Sequence, residues 1–512
     1  MSWNYQTSLD RVKERLEKMG EIRVEKLVRD ADLDALLSET NCREIFGAHV
    51  YVDVTNFARI ASAVDGEDYR RVVQAIHLYQ REVTRIVEDA EIFDGVRVHF
   101  QGPRLHALFF RPIDSAETLA AKAFLLEAVL REFVASVFNP AFPKAKNFEI
   151  SAGADLGSAI GTKNGEKGDR ELLFLGAPAN HAAKILGASG EMNLAPAVFE
   201  ALPRELQKRS TEIDEERYRI DAMTRATVLE FTSDFGIGWD PEASKERLEE
   251  DKRQFPLQDI EYSDAETLID LDALSISNNK RVLAASIFAD VAGFTDFIDG
   301  AKTLEEKKRA LRVFHAIRKE MATVVKTDFD SLRIQYQGDR VQALVHLPKD
   351  DGSAITEKAV EIAAGLQSSL DYVVHTVLPE SKPLKLAVGI DLDATLVSKI
   401  GTRGERDRIC IGLGVERAAR IQELSDGTET SLSPECHTLI KPELQKRFVL
   451  NDQGKFYVAK NLYADTFQRL ARAAAYSTGA TVAVRTSSKT VAVDHREGSS
   501  GSRVLPSKSW CG

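Results

Sequence analysis

Two aspartates in the second half of the chain stand where hard-metal chemistry needs them. Asp290 closes the β-rich run SIFAD and is followed by Val291-Ala292-Gly293-Phe294, the pattern of a strand leaving a sheet through a glycine turn. Asp339 follows Gly338 in LRIQYQGDRVQALV, where two strand-like runs flank a Gly-Asp pair, so it stands at a hairpin tip. Carboxylates at adjacent strand ends can share divalent ions, and hard oxygen donors suit magnesium or manganese. Two such ions serve phosphoryl transfer by activating a hydroxyl and neutralising leaving oxygens. Taken singly, each acid also reads as a strand cap or a turn residue.

The chain repeats itself, and the repeat decides the architecture. HVYVDVTNF (49–57) parallels SIFADVAGF (286–294), and VRVHFQGPRLHALF (96–109) parallels LRIQYQGDRVQALV (332–345). ISAGADLGSAIGTK (150–163) then faces LAVGIDLDATLVSKIGTR (386–403), and LGAPANHAAKIL (175–186) faces IGLGVERAARIQ (411–422). The last three blocks are offset by 236 residues, so Asn180 lies opposite Glu416 and Lys184 opposite Arg420.

In each half the Asp-bearing strand leads into a charged helical stretch, roughly 67–89 or 303–326. A hairpin, a second amphipathic helix (115–137; 355–376) and another strand follow. That order, βαββαβ, predicts an α+β fold of two ferredoxin-like domains with helices on one sheet face. The expected divisions are a helical segment at 1–46, domains at 47–234 and 281–470, a charged linker at 235–280 and a flexible tail at 471–512. The tail ends Trp510-Cys511-Gly512, a docking handle or an unremarkable flexible end.

Composition narrows the function classes. The 512 residues carry 68 Lys+Arg against 79 Asp+Glu, a net charge of −11. That balance disfavours bulk attraction to nucleic acid or anionic lipid, so a phosphate-bearing partner must be held by a local site. No apolar run is long enough for a membrane span and the N-terminus lacks a signal-peptide stretch, so a cytoplasmic protein is expected. Cys42, Cys410, Cys436 and Cys511 show no CxxC pair and read as reduced, incidental thiols.

FADVAGF together with QGDRVQAL resembles the class III adenylate and guanylate cyclase catalytic domain, with its FADxxGFT pattern and Gly-Asp hairpin. The resemblance covers about 47–190 and 281–425. It implies two catalytic domains facing each other, one supplying metal-binding aspartates and the other an N-x-x-x-R pair that holds ribose and transition state. Carried over by position, the second half keeps Asp290, Val291 and Asp339 as the metal side for two Mg2+ or Mn2+ ions. The first half supplies Asn180, with Lys184 at the arginine position.

The mirror arrangement is broken on both sides. Pro103 replaces the hairpin Asp beside Asp53, and Glu416 replaces the Asn before Arg420. The resemblance therefore implies an intramolecular pseudo-heterodimer with one working site. The loop Gly401–Arg408 puts Arg403, Arg406 and Arg408 near the metal side, where the family places an arginine on the triphosphate; a solvated basic loop is the alternative.

Purine cyclases of this family read the base partly with a Lys and an Asp, whose positions here hold His99 and Leu173. Arg97, His99 and Gln101 alternate with apolar residues and share a strand face, which reads either as a base-recognition row or as a solvated edge. Absence of both purine determinants is similar to the bacterial antiphage pyrimidine cyclases, which implies UTP or CTP as substrate, a 3′,5′-cyclic nucleotide as product and a separate effector. A purine cyclase or a nucleotide-binding pseudo-cyclase are the rivals, and the chain is expected as a monomer of paired domains or a higher oligomer.

Overall fold

The computed structural model describes residues 2–62, 67–143, 145, 147–164, 171–402 and 406–467. Two nine-stranded sheets repeat one topology. In the first, the strands run in the order Val96–Gln101, Arg104–Phe109, Asn41–Val54, Ile150–Asn164 and then Met192–Leu194, Arg217–Ile220 and Ser210–Asp214. The first four, with helices Glu67–Glu88 and Ala116–Glu132, are the expected βαββαβ unit. The second sheet repeats that order through Leu332–Gln337, Arg340–Val345, Asn279–Ala292 and Lys385–Ile400. The repeat reaches single dihedral angles: Asp94 and Asp330 sit at φ 47° and 48°, Asp114 and Asp350 at 57° and 56°.

Side-chain alternation sorts the two faces of the central strand. Val50, Val52 and Val54 point into the core under the long helices, whereas Tyr51 points the other way and packs on Ala182 and Ala183 of the short helix Ala177–Lys184. Gly153 lets that helix come close, because a Cβ there would stand 2.3 Å from the Ala182 carbonyl oxygen. Gly389 does the same under Ala418, again at 2.3 Å, for helix Leu413–Glu423. The two helices that carry the candidate Asn180 and its counterpart Glu416 are thus seated by one glycine each.

The halves trade arms. Ile160, Leu173 and Leu175 of the first half are buried in the core of the second beside Phe294, Ile298 and Phe314. Reciprocally, Leu396, Ile400, Ile409 and Ile411 of the second half lie in the core of the first. Each such side chain contributes about 1.5–3 kcal/mol of burial, so the facing arrangement is held by apolar contact that neither half supplies alone.

Two expectations change. The 1–46 segment is only partly helical: Tyr5–Lys18 is a helix capped by Asn4, but after Gly20 the chain extends and Arg23–Lys26 pairs in parallel with Asn41–Val54. That helix docks on the second half, with Trp3 Nε1 donating to Ser369 Oγ at 2.8 Å and Ser8 Oγ to Glu320 at 2.7 Å. The stretch 235–280, expected as a linker, is packed rather than tethered. Its helix Pro241–Gln254 buries Leu248 and carries Asp251, which accepts from Arg81 at 3.0 Å and Arg85 at 2.7 Å.

The expected tail at 471–512, with Cys511, lies outside the described residues. Cys42, Cys410 and Cys436 are buried free thiols. Among the described residues no helix is long and apolar enough to cross a membrane.

Candidate functional site

Register brings the two acids together. Ala289 pairs with Val341, and Gln337 pairs with Arg340 across the two-residue turn Gly338-Asp339, with Gly338 at φ 67°. Asp290, one residue beyond the last pair with that hairpin and still paired with Ala387 on its other side, therefore stands beside the turn, and both aspartates are half-buried. Gly293, at φ 84°, then turns the chain into helix Phe294–Asp299, a left-handed conformation that favours glycine. The Val291 side chain is buried in the core of the second half, which leaves only its backbone for a role at the site.

Among the described residues no group of three or more His, Cys, Asp or Glu is placed to hold a metal ion. A pair of carboxylates still fits magnesium or manganese, which keep several water and phosphate oxygens and need few protein ligands. The donor set of Asp290 and Asp339 is of that kind.

The other half supplies the facing helix. Ala177–Lys184 carries Asn180, half-buried, and Lys184, exposed, four residues apart and so on one face. His181 Nδ1 lies 3.0 Å from Asp155, tying the helix to its own sheet. This helix packs against Phe294–Asp299, the element that directly follows Asp290. Burial pushes the Asp299 carboxyl up, and the Lys184 ammonium pulls it back down.

The base-side strand is buried rather than solvated. His99 is held low, at a pKa of about 3, by burial, and Gln101 Nε2 lies 2.8 Å from His99 Nε2, so these two share a face as expected. The Arg97 guanidinium donates to Asp407 of the other half at 2.8 Å, and a register shift separates it from His99. Its charge thus lies in an inter-half ion pair instead of on an open strand face. Leu173 is buried against the second half. Arg403 lies outside the described residues, and Arg408 of the same loop pairs with Asp272 at 2.9 Å.

Sequence reasoning missed the charges that join the two halves. Glu171 accepts from Arg318 at 2.5 Å and from Arg333 at 3.4 Å. Arg333–Glu171 and Arg97–Asp407 are the same pair offset by 236 residues on each side, the signature of a pseudo-twofold axis. That common offset was the only signal in the sequence, and it becomes readable once the axis is known.

The mirror site closes on itself. Arg104 donates to Asp53 at 2.7 Å with both side chains buried. A cavity of about 60 Å³ is lined by Asp53, Pro103, Arg340, Cys410 and Glu416 among others. Burial, with Asp53 adding repulsion, pushes the Glu416 carboxyl up to about 7. Arg420 is exposed and paired with Glu423 at 3.1 Å.

Residues 279–469 match the adenylate and guanylate cyclase catalytic domain. A uridylate cyclase from Pseudomonas aeruginosa is 29% identical, the match spanning 98% of this chain and 99% of that one. A uridylate cyclase from a Rhizobium species is 27% identical over 76% of this chain and 77% of its own. The crystal structure of a class III adenylyl cyclase-like ATP-binding protein from Pseudomonas aeruginosa superposes with a TM-score of 0.78 at 24% identity, covering 92% of this chain and 99% of that one. That likeness extends the fold to both halves.

Proposed function

From the match of residues 279–469 to the adenylate and guanylate cyclase catalytic domain, we propose that the chain is a class III cyclase that converts a pyrimidine nucleoside triphosphate, with UTP favoured, into its 3′,5′-cyclic nucleotide and pyrophosphate. The observation that supports this reading is the packing of helix Ala177–Lys184, which carries Asn180 and Lys184, against helix Phe294–Asp299, which follows Asp290 in the chain. The two relatives called uridylate cyclases, one aligned over nearly its whole length, support the choice of base. The absence of a purine-type Lys and Asp at His99 and Leu173 agrees with it.

In the reaction the 3′ oxygen bonds to the α-phosphorus, the bond to the β-phosphate bridging oxygen breaks, and the hydroxyl proton leaves to solvent. Asp290 and Asp339 would hold two magnesium or manganese ions, which when bound lower the hydroxyl pKa and neutralise the triphosphate. Asn180 orients the ribose so that the hydroxyl lies in line. Lys184 brings positive charge to the crowded phosphate, as a point charge without the fork of an arginine. His99, neutral and bonded to Gln101, presents a fixed polar edge to the base. A cytoplasmic second messenger in antiphage defence, read by a separate effector, fits such a product.

Purified protein incubated with ATP, GTP, CTP and UTP plus manganese, with products identified by mass spectrometry, tests the reading. Cyclic UMP is expected, and Asp290→Ala or Asp339→Ala should abolish it. Binding without turnover of any of the four would favour the pseudo-cyclase instead.

A further inference from the structure

We propose that Arg318 is a positioning residue that locks the metal-side hairpin to the strand Glu171–Leu175 of the opposite half. It sits on helix Leu304–Thr323, and its side chain is 2% exposed. One arm of its guanidinium donates to the Gly338 carbonyl at 2.7 Å, directly before Asp339 in the chain. Another arm donates to Glu171 at 2.5 Å, at the start of the strand Glu171–Leu175 that carries Leu173. The planar group lies 3.9 Å from the centre of the Tyr336 ring, on the strand leading into the same hairpin. A buried cation is costly unless paired and hydrogen-bonded, and these contacts together offset that cost.

Among the described residues the first half makes the hairpin bond without the charged link. The first-half counterpart of Arg318 is Gln80, because the two helices are offset by 238 residues: Gly95 N donates to the Val87 carbonyl where Ser331 N donates to the Val325 carbonyl. Gln80 donates to the Gly102 carbonyl of the mirror hairpin at 2.8 Å, as Arg318 does to Gly338, but its amide carries no charge with which to pair Asp407, the counterpart of Glu171. The charged cross-connection therefore stands on the side that keeps Asp339 and is replaced on the side where Pro103 has removed the hairpin acid. An interface that served cohesion alone has no reason to make this difference, since both sides already carry the symmetric pair of Arg97 with Asp407 and Arg333 with Glu171. Arg318 sets the height of the Gly338-Asp339 turn relative to the other half, and with it the fit of metal and base to one substrate.

The inference rests on the cyclase reading, and its test separates the two. Arg318→Lys keeps the charge but loses the fork that reaches Gly338 and Glu171 together. It should raise the manganese concentration for half-maximal activity about tenfold or more, as loss of a group that orients a metal ligand does. Glu171→Gln should act in the same direction, and the double variant should be no worse than the poorer single, because both changes break one connection. Asp407→Asn, which breaks the mirror pair, should leave the manganese requirement at the wild-type value.

Manganese-dependent binding of 3′-deoxy-UTP, followed by thermal shift, reads the same geometry without turnover. If the wild type forms no cyclic product but Arg318→Lys weakens that binding, the cyclase reading falls and the positioning role stands. If the wild type cyclises UTP and both Arg318→Lys and Glu171→Gln show its manganese requirement, the positioning role is overturned.

Discussion

Arg104 donates to the Asp53 carboxylate at 2.7 Å, and each side chain is about 5% exposed. Asp53 is the first-half counterpart of Asp290, so on the broken side a guanidinium already neutralises the acid that would otherwise face a metal ion. The hairpin next to it has Pro103 in place of an acid, and Glu416 adds a second carboxylate to the same cavity. On the broken side the first half thus compensates its own acid.

Asp53→Ala should therefore separate stability from activity. Removing one member of a buried ion pair leaves the other uncompensated and costs about 3–5 kcal/mol. Thermal unfolding should fall accordingly, while cyclic nucleotide formed per folded molecule stays near wild type. Equal loss of turnover on Asp53→Ala and Asp290→Ala would defeat the one-site arrangement.

Lys184→Met removes the cation that the proposed mechanism places at the crowded phosphate. Loss of one charge-stabilising group at such a site costs about 10²–10³ in kcat, and KM should change little because the interaction is made in the transition state. Steady-state kinetics with UTP and manganese check the split. A rise in KM with unchanged kcat would make Lys184 a ground-state binding residue.

Glu416 makes a signed prediction. Its carboxyl titrates at about 7 in the folded chain against an ordinary glutamate value of 4.5, because burial comes first and Asp53 second. The folded state thus holds a proton that the unfolded state gives up between those values. The resulting penalty is absent below about pH 4.5, grows as pH rises, and is complete above about 7, on the order of 3 kcal/mol. Glu416→Gln should unfold at a higher temperature than wild type at pH 8 and at nearly the same temperature at pH 5. A gain of equal size at both pH values would show that charge is not the cause.

Much of the fold was legible because duplication and strand alternation are properties of the chain itself. The Gly338-Asp339 turn, the strand that carries Asp290 and the one-turn spacing of Asn180 and Lys184 all follow from local pattern, although that strand runs on to Ala292. Arg97 misleads for a physical reason: a polar residue on an alternating strand looks solvated until an opposite charge, here Asp407, is known to face it. The connecting stretch 235–280 misleads likewise, since its charges look solvated until Arg81 and Arg85 are placed over Asp251. Arg318 and Glu171 do not stand out because each is an ordinary helix or strand-end charge, 147 residues from its partner.

By itself the sequence determined the two-copy α+β design, the acids at neighbouring strand ends, and which copy had lost each group. Those features are encoded within a dozen residues of one another, where hydrogen-bond register and side-chain alternation leave few choices. Only the tertiary structure decided that Ile160, Leu173 and Leu175 enter the opposite core, that Arg104 covers Asp53, and that Arg318 joins Gly338 to Glu171. Pairings across an interface are selected by burial and charge balance summed over both halves, and no local stretch of chain contains that sum.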